Sequence, residues 1–145
     1  MRAAVVGFVS TAAVVLSGCG ADDLPAVTVT AVPSPVSAAC QRFAGKLPDD
    51  LGDDLPRRDT SPDAQGIAAY GDPPVVVRCG APATTAYEQG KPLYDVNGVD
   101  WFAEEGPDAV TWSLPRAFVN VQVVIPRAWT GDRLSYLTEA VKATR

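Results

Sequence analysis

The chain is 145 residues long, 47% apolar and 20% charged, and its 12 Lys and Arg face 17 Asp and Glu for a net charge of −5. That length supports one domain with a real core, and the acidity repels phosphate backbones, which argues against nucleic acid as a partner. Histidine is absent, so the commonest general base and the commonest zinc and copper ligand are missing, and neither a metal nor a cofactor is expected.

The first element is the apolar run Ala3–Leu16, which follows one basic residue, Arg2, and ends in Leu16-Ser17-Gly18-Cys19. It is shorter than the roughly 20 apolar residues a bilayer span needs. Run and ending look like a bacterial lipobox, where a signal peptidase cuts before Cys19 and the new N-terminal cysteine is acylated. A plain secretory signal and an uncut anchor are the rival readings. Residues 1–18 are therefore read as a lipoprotein signal peptide, 19–35 as the lipidated cysteine and a flexible tether, and 36–145 as a single globular domain. Removing residues 1–18 leaves 127 residues and, with Arg2 gone, a net charge of −6. Membrane attachment would then rest on the lipid and not on a polybasic patch. The address is the outer face of the cytoplasmic membrane.

The lipobox also resolves an odd count of three cysteines. With Cys19 acylated, Cys40 and Cys79 remain as a pair in a compartment where disulfides persist.

Residues 20–35 carry Pro25, Pro33 and Pro35 among small β-branched residues. They offer no amphipathic face and read as an extended linker that reaches some 50 Å; a strand over 27–32 is the alternative. Ser34 and Pro35 suit an N-cap and first helical position, and Val36, Cys40, Phe43 and Leu47 then fall on one helical stripe, stopped by Pro48. A polar loop over 48–66 follows. Residues 67–70 and 75–79 flank the turn Gly71-Asp72-Pro73-Pro74 and read as strands. Asn97-Gly98 joins strands over 93–96 and 99–103 in a type I′ hairpin. Further strands cover 110–114 and 118–125. A C-terminal helix capped at Thr130 or Asp132 buries Leu134, Leu137 and Val141. The expected fold is α+β: an antiparallel sheet of about six strands, one face wet and the other covered by an N-terminal and a C-terminal helix.

Chemistry-bearing residues are few. Asp72 suits a side-chain-stabilised turn. Arg78 is read as the partner of Asp100, with an anionic ligand as the rival. Trp101 and Trp112 fit core or cross-strand packing, with a sugar or lipid groove as the alternative. Asp49, Asp50, Asp53 and Asp54 lack the ligand spacing of a calcium loop and read as solvated. Arg57-Arg58 either grips a phosphate or carboxylate or neutralises the aspartates before it. Glu104, Glu105 and Asp108 sit on a turn-like EEGPD segment with no visible partner for glycoside chemistry. Ser and Thr lack a histidine, a G-x-S-x-G elbow and an S-x-x-K pattern, and there is no Gly-rich phosphate loop. No enzyme is expected. The candidate binding residues are Arg57, Arg58, Arg78, Asp100 and Trp101.

Three short stretches, Tyr70-Gly71-Asp72-Pro73, Arg78-Cys79-Gly80 and Val99-Asp100-Trp101, stand in this order behind the signal segment. Together they resemble the actinobacterial exported proteins and lipoproteins catalogued as domain of unknown function 3515, over roughly residues 40–141. Tyr70 departs from the tryptophan expected there, with an aromatic kept. The resemblance implies an envelope protein of an actinobacterium and brings no activity. Nine arginines against three lysines suit a GC-rich genome.

The sequence reading is thus a lipid-anchored envelope domain, non-catalytic, that binds an envelope protein or glycan. A small-molecule or glycan binding module is the alternative, and a carboxylate-dependent hydrolase the distant one. An apolar pocket with convergent polar groups would favour the ligand; a flat exposed apolar patch would favour a protein partner.

Overall fold

Strict alternation shapes the centre of the sheet. In β5 (Val75–Cys79), Val75, Val77 and Cys79 are buried while Val76 and Arg78 are half-buried, the period of a strand with one face on the core. In β9 (Val121–Pro126), Val121, Val123 and Ile125 repeat the pattern, and Val77 lies opposite Val123. The computed structural model describes residues 24–52, 54–88, 90–115 and 117–145; the signal segment, Cys19 and Asp53 lie outside the described residues.

Around this pair the sheet runs, edge to edge, through β2 (Arg57–Arg58), β4 (Ile67–Tyr70), β5, β9, β8 (Ala109–Ser113), β7 (Val99–Glu105) and β6 (Tyr94–Val96). All neighbours are antiparallel, seven strands where about six were expected. Asn97 (φ 55°) and Gly98 (φ 80°) turn the β6–β7 hairpin as expected. One core receives Cys40 and Phe43 from α1 (Ala38–Ala44) and Ala140 and Val141 from α2 (Thr138–Lys142). The fold is α+β, as read from the sequence. No helix among the described residues is long and apolar enough to cross a membrane.

Four boundaries differ from expectation. α1 ends at Ala44 with Gly45 as its C-cap, so Leu47 lies outside it and Pro48 is not what stops it. The N-cap of α1 is Ser37, not Ser34: its hydroxyl accepts the Cys40 N–H at 3.2 Å, and Pro35 lies before the helix. The C-terminal helix begins as a 3-10 turn over Gly131–Leu137. At its start the Thr130 hydroxyl bonds the Asp132 carboxylate and does not cap the backbone. The last strand starts at Val121, because the Asn120 side chain bonds the loops beside it, leaving Phe118 and Val119 outside.

The largest correction concerns the outer face and the tether. Residues 27–32 do not form a free linker, and the alternative of a strand over 27–32 holds at its start. β1 (Val27–Thr28) pairs in parallel with β3 (Thr60–Ser61), and Val27 and Val29 are buried against Ile67, Ala69 and Val76. From Pro25, held by Arg58 near Gly71, the chain runs as a strap to Thr30, held by Arg78, and on to Val32 beside Cys79. Further along, Tyr87 meets Phe102 edge to face at 5.3 Å and the Thr84 hydroxyl bonds Glu104. The face expected to be wet is therefore roofed in part by this strap and in part by the segment before β6. The apolar Ile67, Ala69 and Phe102 on that face explain why a roof is needed.

Candidate functional site

The strap, the start of α1 and the C-terminal end of β5 meet at the disulfide. Cys40 and Cys79 are bonded, with S–S 2.08 Å and Cα–Cα 5.5 Å. Gly80 follows at φ 82°, where a Cβ would sit 3.5 Å from the Cys40 sulfur. The positive φ favours glycine and lets the chain leave the sheet directly beside the bridge. Beyond it lies an apolar depression of about 390 Å³, lined by Val32, Pro33, Val36, Leu114, Phe118 and Val119 among others.

The Asn120 side chain builds the far wall. Its Oδ1 accepts the Leu114 N–H at 3.1 Å. Its Nδ2 donates to the carbonyls of Ala81 (3.2 Å) and Pro82 (2.8 Å). Its own carbonyl accepts the Gly80 N–H at 2.8 Å. One residue thus braces both ends of the loop that carries Phe118 and ties it to the chain after Cys79. Leu114 is buried at the loop's root, whereas Phe118 is 100% exposed. Burying a phenylalanine is worth about 1.5–3 kcal/mol, and Phe118 forgoes that burial on a loop that Asn120 holds at both ends. A second depression of about 220 Å³ adjoins the first through Leu114, Ala117 and Phe118, and reaches Asp100, Val141 and Arg145.

A family model described as "Protein of unknown function (DUF3515)" matches residues 2–145. The chain belongs to the DUF3515 family. Comparisons with curated proteins and with solved structures find no match.

The other residues singled out in this DUF3515 chain are scattered. Arg78 and Asp100 do not pair: β9 and β8 stand between their strands. Arg78 instead bonds the Gln122 side chain, its neighbour across the ladder, and the Thr30 carbonyl. Asp100 is exposed and faces Asp95 across the β6–β7 hairpin. Trp101 is buried in the core and Trp112 half-buried, meeting Tyr94 edge to face at 5.4 Å. Arg57 and Arg58 line a polar hollow of about 630 Å³ with Asp59 and Asp63. Arg58 is committed to the Pro25 and Gly71 carbonyls, with Asp72 3.7 Å away; Arg57 is exposed.

The carboxylates also have local work. Asp50 accepts the Gly52 N–H at 3.0 Å, and Asp54 pairs with Arg133 at 3.2 Å. Glu104 and Glu105 lie in β7, not on a turn; Glu104 bonds Thr84, and Glu105 pairs with Arg127 at 2.8 Å. Among the described residues, no three His, Cys, Asp or Glu side chains converge as metal ligands.

The acidity of Tyr70 departs clearly from the ordinary. Burial pushes its phenol from 10.0 up to about 12; Arg57 opposes the rise, and Asp49 and Asp50 add to it. Its hydroxyl donates to the Pro48 carbonyl at 3.0 Å.

Sequence reasoning missed Phe118 and Asn120. Alternation from Val119 to Ile125 drew both into a strand. The signal available was local: an asparagine ending a short run that opens with Pro115 is better suited to bonding backbone in a loop than to a ladder.

Proposed function

We propose that this chain is a lipid-anchored envelope protein of an actinobacterium, held at the outer face of the cytoplasmic membrane through acylated Cys19. Its domain is non-catalytic and works by binding a component of the envelope through the surface around Phe118. The exposed Phe118 on its braced loop beside the apolar depression carries the binding part of this reading. The motif Leu16-Ser17-Gly18-Cys19 supports the anchor, and the Cys40–Cys79 bridge is compatible with an oxidising compartment. A small molecule or glycan is the second reading, because about 390 Å³ falls within the range of small-ligand pockets.

The test is expression of the full chain and of Cys19→Ala in an actinobacterial host, with fractionation and intact-mass measurement. Wild type should be membrane-bound, shortened by residues 1–18 and heavier by acyl chains, while Cys19→Ala accumulates as uncut precursor. A variant processed and fractionated like wild type would sink the anchor. For the binding part, Phe118→Asp should lose the envelope contacts, to protein, glycan or lipid, that cross-linking of intact cells records for wild type; an unchanged pattern overturns it.

A further inference from the structure

We infer that the component met by the Phe118 surface is the lipid bilayer itself: the strap and Phe118 form one lipid-facing ridge on which the domain lies. This deepens the anchored reading above and rests on it.

Three observations support the ridge. Residues 24–41 carry no charged side chain, although 20% of the whole chain is charged. Much of that stretch is at the surface: Leu24 is 44% exposed, and Pro33 and Pro35 are exposed beside the depression under Phe118. The ridge therefore runs from Leu24, directly after Asp22 and Asp23 in the sequence, to a fully exposed aromatic. Along the strap, Pro25 to Val32 is seven peptide steps, roughly 23 Å when extended.

Chain length then limits where the domain can go. Cys19 to Pro25 is six steps, which span at most about 20 Å in any conformation. A domain of this size is roughly 35 Å across. Acyl chains on Cys19 would hold it closer to the bilayer than its own diameter, with the strap side nearest the point of attachment. Lying on that side brings Leu24 and Phe118 to the same plane. This replaces the 50 Å reach that the sequence alone suggested.

Charge is compatible at the Phe118 end. Arg145 lines the second depression, and Arg42 and Lys46 line the adjoining hollow beyond it; Asp100 is the one acidic side chain lining the three. Arg42 donates to the Ala143, Thr144 and Arg145 backbone oxygens, and among the described residues Lys46 and Arg145 sit in no side-chain ion pair. In an otherwise acidic protein this is where an anionic headgroup can approach.

The experiment uses full-length protein carrying Phe118→Trp, purified in detergent from host membranes and reconstituted into vesicles of bromine-labelled phosphatidylcholine, with or without phosphatidylglycerol. Phe118 is wholly exposed, so the substitution leaves the fold intact. The emission added over wild type should shift to the blue and lose most of its intensity to the bromines, more so with phosphatidylglycerol at low salt. Added emission that stays red and unquenched in vesicles holding acylated protein overturns the ridge while leaving the anchor standing. Intact mass of the same sample separates the two ideas: quenching by unacylated protein keeps the ridge and removes the anchor. If the introduced indole is shielded by a cross-linked protein and not reached by bromine, the surface belongs to that partner and the inference fails.

Discussion

The Arg58 guanidinium donates to the Pro25 carbonyl at 2.7 Å and to the Gly71 carbonyl at 3.0 Å. One side chain thus ties the start of the strap to the turn after β4. Asp72, 3.7 Å away, is mostly exposed and contributes less than the two carbonyls. The adjacent Arg57 is exposed and opposes Tyr70 across the ladder.

The two arginines should therefore respond differently to alanine. Losing two bonds from a charged donor is expected to make Arg58→Ala less stable by about 1–3 kcal/mol. Hydrogen exchange at the Val27 and Val29 amides should speed up, because these pair with β3 and the residue before it. Arg57→Ala should keep the wild-type urea midpoint. Equal midpoints for the two variants would show that Arg58 does not hold the strap.

The Cys40–Cys79 bridge ties α1 to β5 across 39 residues. On the chain-entropy account, removing such a loop costs about 4 kcal/mol, and measured losses run nearer 2–4 kcal/mol. Cys40→Ser should lower the urea midpoint accordingly. Non-reduced peptide mapping of exported protein should recover the two cysteines in one linked species. Two freely alkylatable thiols would refute the bridge.

What was legible in the sequence follows from periodicity. Val75, Val77 and Cys79 alternate in so regular a fashion that strand, face and cysteine orientation follow together, and Asn97-Gly98 has the conformational freedom its turn demands. The strap was not legible. Val27 and Val29 bury only because Ile67 and Ala69 leave an apolar outer face, a relationship between segments some 40 residues apart that no local pattern contains. Arg78 was assigned to Asp100 because strand arginines commonly pair with a carboxylate, whereas Gln122 lies opposite it across the ladder and neutral partners carry no charge signal. At the candidate site the cysteine pair was read correctly. Phe118 was hidden because a side chain's exposure depends on how Asn120 ends the strand.

Gly71 tests the turn that Arg58 holds. Its φ is +69°, and a Cβ there would collide with the Leu55 side chain, which is fully buried. Alanine would suffer both backbone strain and overpacking, each worth about 1–3 kcal/mol. Gly71→Ala should fold poorly, and measured against Leu55→Ala alone, which itself costs about 2–5 kcal/mol, adding Gly71→Ala should cost only the backbone strain and not the collision. A fully stable Gly71→Ala would show that this turn yields more readily than its contacts imply.

Tyr70 makes the stability of the fold fall at alkaline pH. Its phenol titrates near 12 in the folded protein against 10.0 ordinarily, chiefly because burial disfavours the phenolate. The unfolded chain therefore releases this proton first. Below pH 10 both states hold it and the group adds no pH dependence. Between about 10 and 12 the unfolded state binds fewer protons, so stability falls as pH rises, by up to about 3 kcal/mol across the window. Tyr70→Phe gives up the bond to Pro48, a loss of about 1 kcal/mol at neutral pH. In exchange it removes this part of the alkaline slope. Urea midpoints of both proteins at pH 8, 10 and 11 compare the slopes directly. Wild type should decline faster than Tyr70→Phe above pH 10; parallel declines would place the alkaline sensitivity elsewhere.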